Sequence, residues 1–464
     1  MLKNVARPVT DPQAASVKIG EAAFPVPFVH TLEYSSPARG TWNIVHTGML
    51  VPEAHQIYIC AAGCLRGVIL TAAEMGLMGR FSTLELREQD LVGTDSEAQI
   101  IEGVTDILTR LDYTPRAVLV FSVCTHHFLG CNLNFVYAEL ERRFPQIDFA
   151  RCYMDPIRQT HAPTPDETER QAIYGLEDFS GKEEKVLQIV GSNLATERTA
   201  DFIALAEKMG WQVRELARTQ SYEEFRSLGH AARNVFISPL GRRAAQDMAR
   251  LYGRECMYLP AVWREEDVAA LLEEFAAFLA ADEGAAPAVQ PGRGSAEGSP
   301  LAQNERADES GAPKVRPLQE LSELLNGAPV ALDYSLVSRP LNLARCLAEH
   351  GFNLTRLYAD GFLPEEERDF RWLQEKCPQL EIFPTKHAVM RLVPRETEEK
   401  ILALGQKAAY FTQTPYFVNM VDNGGLWGRD GLLRLAELMR EAWLTPKDTR
   451  REVSRKGWGG PCCL

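Results

Sequence analysis

Apolar positions in this chain follow two alternating patterns. Short continuous apolar runs are followed by longer stretches in which apolar residues recur every three or four positions. RAVLVFSVC (116–124) is of the first kind and reads as a strand covered on both faces. SEAQIIEGVTDILTRL (96–111) is of the second, with Ile100, Ile101, Val104 and Ile107 on one helical face. QIYIC (56–60) and IDFARCYM (147–154) predict further strands, and 68–80 and 135–145 predict helices. This is a β-α-β rhythm, which points to parallel sheet.

The rhythm resumes at KVLQIVGSN (185–193) and continues through ARNVFISPLG (232–241) and CMYLPAV (256–262) to a helix at 266–280. It starts a third time at GAPVALDYS (327–335) and ends in a Gly-rich turn and helix, NGGLWGRDGLLRLAELMREAW (423–443). Between the second and third units, 281–314 is rich in Gly, Ala, Pro, Ser and Glu and has little to bury, so it reads as a linker. The expected organisation is an irregular arm over 1–45 packed on the first unit, α/β domains over 46–180, 181–280 and 316–445, a linker over 281–315, and a tail over 446–464. The fold class is α/β: three Rossmann-like domains with mostly parallel sheets.

Composition narrows the function. With 50 basic and 63 acidic residues the net charge is −13, which argues against nucleic acid or an anionic membrane as partner. No apolar run is long enough to span a bilayer, and MLKNVARPVTDPQ lacks the apolar core of a signal peptide. A cytoplasmic location is expected, where the ten cysteines would stay reduced and free to bind metal.

The chemistry concentrates in two places. YICAAGCLRG (58–67) carries Cys60 and Cys64 with Gly63 and Gly67, which predict close backbone approach or a positive φ. SVCTHHFLGCN (122–132) carries Cys124 and Cys131. Cys124 ends a predicted strand, where open α/β sheets place their ligands. Thiolates so placed suit soft metals and iron–sulfur clusters; four buried free cysteines are the alternative. No C-x2-C pair occurs, so zinc-ribbon and bacterial ferredoxin patterns fail. VGSNLATE (190–197) is not G-x-G-x-x-G, so Gly191 reads as an ordinary turn. His126 and His127 adjoin Cys124, and Lys386 and His387 sit at a predicted strand end; these are the candidate catalytic residues. His46 and His55 flank the cysteine strand, and Asp333 and Asp360 read as helix caps. Cys462 and Cys463 close the chain.

These motifs resemble the nitrogenase component 1 family and its relatives, among them the dark-operative protochlorophyllide reductases. AAGCLRGV resembles the family's P-V-G-C turn, placing Cys64. SVCTHHFLGCN resembles its S-T-C…I-G-D-D motif, placing Cys124 and Gly130, and GGLWGRDG resembles its closing Gly-rich turn. The likeness spans about 35–445. The resemblance implies three Rossmann-like domains and an oxidoreductase component that takes low-potential electrons through an iron–sulfur cluster of 4Fe-4S type. It implies Cys60, Cys64 and Cys124 as ligands, with Cys131 or a partner subunit as a fourth. It also implies an ATP-dependent partner reductase similar to nitrogenase iron protein, and a homodimer or heterotetramer with a homologous subunit. The departures are specific. The family's first cysteine would fall near 36–38, where none stands. Its cofactor histidine falls at Trp427, and NVFISPLG lacks the cofactor cysteine. An additional metal cluster or a tetrapyrrole is left open. The alternative roles are a metal-cluster assembly scaffold or a non-catalytic partner subunit.

Overall fold

A computed structural model describes residues 15–28, 44–91, 95–155, 163–281, 316–391, 393 and 399–448. Most of the expected linker, and Cys462 and Cys463, lie outside them.

The chain enters through a two-residue strand, β1 (Val17–Lys18). The first unit then runs α1 (Ile44–Met49), β2 (Ala54–Cys60), α2 (Ala62–Glu74), β3 (Phe81–Glu85), α3 (Ser96–Arg110), β4 (Ala117–Val123), α4 (Cys124–Phe128), α5 (Leu133–Arg143), β5 (Asp148–Met154) and α6 (Pro165–Tyr174). The second is β6 (Glu183–Val190), α7 (Asp201–Lys208), β7 (Gln212–Glu215), α8 (Tyr222–Ser227), β8 (Ala231–Phe236), α9 (Arg242–Tyr252), β9 (Glu255–Tyr258) and α10 (Glu265–Ala280). The third is α11 (Arg316–Leu325), β10 (Pro329–Asp333), α12 (Pro340–Glu349), β11 (Asn353–Tyr358), α13 (Glu367–Lys376), β12 (Glu381–Phe383), β13 (Leu402–Leu404), α14 (Gln406–Thr412), β14 (Phe417–Val418) and α15 (Gly428–Leu444).

Among the described residues these strands form three sheets, ordered β3-β2-β4-β5, β7-β6-β8-β9 and β1-β12-β11-β10-β13-β14. Every pairing is parallel except that of β1 with β12. The apolar runs explain this. All seven residues of β2 and of β4 are buried, as strands covered on both faces must be. Between them Tyr58 stacks on Phe121 with centroids 4.1 Å apart, at the register position where the two residues are paired.

Each sheet reverses its strand order once. In the first, β2 leads through α2 to β3 on one side, and β3 returns past β2 through α3 to β4 on the other. Right-handed crossovers then place α2 and α3 on opposite faces. The crevice between the carboxyl ends of β2 and β4 is therefore a topological switch point, where such sheets take ligands.

Three expectations are corrected. The N-terminal arm docks on the third sheet, not the first: Val17 pairs with Ile382 and Lys18 with Glu381. The reason is that a two-residue strand can complete the open edge of β12. The helix expected over 68–80 is α2, which begins at Ala62 and takes Cys64 into its first turn. Gly63 and Gly67 therefore have helical backbone; a Cβ on either would meet nothing within 4 Å, so neither serves close approach.

Candidate functional site

Cys60 is the last residue of β2, Cys64 lies in the first turn of α2, and Cys124 opens α4 directly after β4. All three thus come to the switch point of the first sheet. Burial pushes the Cys60 thiol up to about 12, with further contributions from Cys64 and Cys124. Cys124 is raised by burial, then by Asp155 and Cys64. The three thiols are close enough for negative charge on one to oppose charge on another. A cationic centre among them would reverse that penalty.

Cys60 is fully buried, Cys124 half-buried and Cys64 exposed. The carbonyl of Cys60 accepts from Leu86 N–H at 3.1 Å, which holds the strand end. The N-cap of α2 is Ala61, which offers no side-chain acceptor, and Cys64 N–H donates to Ala61 O at 2.9 Å, so the amides of Ala62 and Gly63 are the uncapped ones at the start of this thirteen-residue helix. Cys131 is placed differently. Its neighbours in charge and hydrogen bonding are Ser96, Asp95 and Glu97 at the start of α3, and burial raises its thiol. Among the described residues, no group of three or more His, Cys, Asp or Glu side chains is arranged to hold a metal ion.

The histidines divide by role. Val123 N–H donates to His126 Nδ1 at 3.0 Å, so this buried ring closes the first turn of α4, and burial lowers its pKa. His127 instead points toward β5: its Nδ1 lies 2.9 Å from Asp155 Oδ2, and its ring sits 5.2 Å from that of Tyr153. His55 is fully buried between Tyr113 Oη (2.7 Å) and Ser82 Oγ (2.8 Å), a structural position.

Lys386 and His387 lie far from the thiols in sequence and belong to the third sheet. Thr385 and Lys386 N–H donate to Asp360 Oδ1 at 2.9 and 3.0 Å, so Asp360 shapes the turn after β12. Asp333 accepts from Ser335 N–H at 2.8 Å and from Ala408 N–H at 2.7 Å, capping α14. Asp333 thus caps a helix as expected, whereas Asp360 braces a turn instead. Burial lowers the pKa of Lys407 beside them, against opposing pulls from Asp333 and Asp360. Lys407 and Asp155 carried no signal in the sequence, because neither stands in a motif.

Where the three units meet, a set of polar side chains links them, beside an apolar core shared by the first and second units. Thr47 Oγ1 and Arg170 Nη2 donate to Asn193 Oδ1 at 3.0 and 2.6 Å, and Asn193 Nδ2 donates to Asp422 Oδ2 at 3.4 Å. Trp427 is buried, donating from Nε1 to Pro260 O at 3.0 Å and meeting Phe202 edge-on. It packs the contact between the second and third units.

The fold and site define a class: an α/β protein of three mostly parallel sheets, with cysteines gathered at one switch point. The family model described as "Nitrogenase component 1 type Oxidoreductase" matches residues 46–406, and the chain belongs to that family. Among solved structures it is similar to "Nitrogenase Cp1 at pH 6.5", with a TM-score of 0.59 and 12% identity over 90% of this chain and 94% of that one. "Nitrogenase Cp1 at pH 5" gives 0.54 and 12% over 93% and 95%. At such identity the likeness establishes the fold. A search of curated protein sequences finds no match. Among the described residues, no helix is long and apolar enough to cross a membrane.

Proposed function

We propose that this chain is a subunit of a nitrogenase-like reductase that accepts low-potential electrons at an iron–sulfur cluster held by Cys60, Cys64 and Cys124. The observation that carries this reading is the placement of three cysteines at the switch point of the first sheet, Cys60 ending β2, Cys64 in the first turn of α2 and Cys124 opening α4. When bound, a cluster of this kind supplies one-electron transfer at a potential set by its surroundings. The chain's own residues do the rest. Cys60 would hold such a cluster from the dry side, Cys124 from the start of α4, and Cys64 from the solvent side. The uncapped amides of α2 would stabilise negative charge on sulfur. A fourth ligand would come from a partner subunit, or from Cys131 after rearrangement.

The exposure of Cys64 suggests what covers the site. α2 presents Gly63, Cys64, Gly67 and Leu70 to solvent, and Phe128 at the end of α4 is 75% exposed. A bare helical face beside an exposed ligand suits a homologous subunit, as a homodimer or heterotetramer. An ATP-dependent iron-protein-like reductase would then deliver electrons to the assembled pair. The substrate class of the second reading differs: exposure of Cys64 also suits a scaffold that assembles a cluster and gives it up.

Anoxic purification or reconstitution, followed by iron and sulfide analysis and EPR of the reduced protein, tests the site. Cys64→Ser and Cys124→Ser should each lose most of the bound iron and the reduced signal. Full iron content and an unchanged signal in both would remove the assignment. Incubation with an apo-acceptor separates the two roles, since a reductase subunit keeps its iron and a scaffold transfers it.

A further inference from the structure

A cavity of about 230 Å³ lies between the first and second units, at the carboxyl end of β5. It is lined by His127 from α4, Asp155 beyond β5, Thr168 and Gln171 of α6, and Arg243 of α9. The thiol site is its neighbour, because Asp155 raises the pKa of Cys124. Nothing in the cysteine motifs requires this cavity.

We propose that the cavity binds a small molecule bearing an oxyanion, a short carboxylic acid or an inorganic oxyanion, with Arg243 and His127 as its anchors. The charges decide the sign. Among the described residues Asp155 is the carboxylate lining the cavity, and it is paired with His127 Nδ1 at 2.9 Å. His127 itself lines the cavity. Arg243 donates from Nε to Gln171 Oε1 at 3.4 Å, which orients the guanidinium plane. Asp247 feels Arg243 but takes its hydrogen bonds from Gln171 and Arg250. Among the described residues no hydrogen bond engages the terminal nitrogens of Arg243, and a guanidinium fork matches an oxyanion in two-point geometry. Thr168 Oγ1 already donates to Thr164 O at 3.0 Å. Pro163 and Pro165 form a stiff wall. The volume is below that of a drug-sized pocket, which limits the guest to a small molecule.

If the proposed reductase role is right, this guest is a substrate held beside the electron-carrying site; binding itself does not depend on that role. Calorimetric titration of the full chain, prepared anoxically, with acetate, succinate, inorganic phosphate and sulfate tests it, with acetamide and succinamide as neutral controls. Saturable binding of the acids and not of the amides is expected, and preference among the four separates a carboxylate site from an inorganic one. Arg243→Gln should weaken binding about tenfold or more, with partial recovery in Arg243→Lys. Thr168→Phe should abolish binding by filling the space while the thermal unfolding transition is retained. Cys64→Ser should lose iron and keep the anion affinity, so that failure of one idea is not failure of the other. Absence of binding by every acid, equal binding of the amides, or an Arg243→Gln variant with unchanged affinity would each overturn the proposal.

Discussion

His55 shows how one residue on the cysteine strand can be chemically eligible and still be structural. It stands five positions before Cys60 on β2, but both ring nitrogens are engaged, by Tyr113 and Ser82. Burial, and then Arg80, lower its pKa from 6.5 to about 4. The sign follows from proton linkage. The unfolded chain binds a proton at His55 below pH 6.5 and the folded chain does not until about pH 4, so stability is full above 6.5 and is lost as pH falls toward 4. Between pH 7 and pH 5 this group should cost roughly 2 kcal/mol. Urea unfolding of wild type and His55→Gln at the two pH values measures it. The variant should lose less stability on acidification than wild type by about that amount; equal losses would mean that His55 is not held neutral in the fold. His126, whose pKa is also lowered by burial, adds to the same acid sensitivity.

At the scale of elements, α2 is informative because its glycines have no visible structural need. Glycine inside a helix costs about 0.5–1 kcal/mol relative to alanine. Gly67 lies within Ala62–Glu74, and an added Cβ would meet nothing within 4 Å. Gly67→Ala should therefore stabilise the isolated chain by about that amount. If α2 is the face covered by a homologous subunit, the same substitution should weaken self-association or pairing, as read by sedimentation velocity over a dilution series. Stabilisation with unchanged association would leave the face without a partner at that position. Gly425 makes the opposite case. Its φ is +78°, and a Cβ there would run into the carbonyl of Ala195, where Glu197 N–H donates to Gly425 O at 2.9 Å. Glycine at this turn is required by both conformation and space.

For the molecule as a whole, the three sheets are tied at one junction by Asn193. Its amide joins Thr47 of α1, Arg170 of α6 and Asp422 ahead of the last helix. Arg170 is 2% exposed; it also donates to Gly191 O and Asp166 O and is ion-paired with the buried Asp166 carboxylate. Removing one acceptor from a buried cation is costly, so Asn193→Ala should destabilise the protein by about 1–3 kcal/mol. A fall in the thermal unfolding midpoint checks this; an unmoved transition would mean that apolar contacts alone hold the units together. The net charge of −13 acts at the same scale, favouring solubility without directing the fold.

Much of the architecture was legible because the apolar runs are long. β4 and α3 announce themselves by period, and the end of β4 located Cys124 at a strand terminus. β3 and α6 were not anticipated. β3 is five residues with only Phe81 fully buried, too short and too mixed to show a pattern. α6 buries Asp166, Glu169 and Arg170, so its inward face does not read as apolar.

Local composition decided the class of fold, since continuous apolar strands alternating with amphipathic helices can be buried only as covered parallel sheet. It also decided which side chains were chemically eligible. Tertiary structure decided which of them meet. Strand order brings β2 beside β4 and so joins Cys60 and Cys64 to Cys124, and packing of α6 against β5 and of α9 against α6 brings Arg243 and His127 to one cavity. Those contacts depend on sequence-distant elements sharing a sheet edge or a helix interface, and no local period records them.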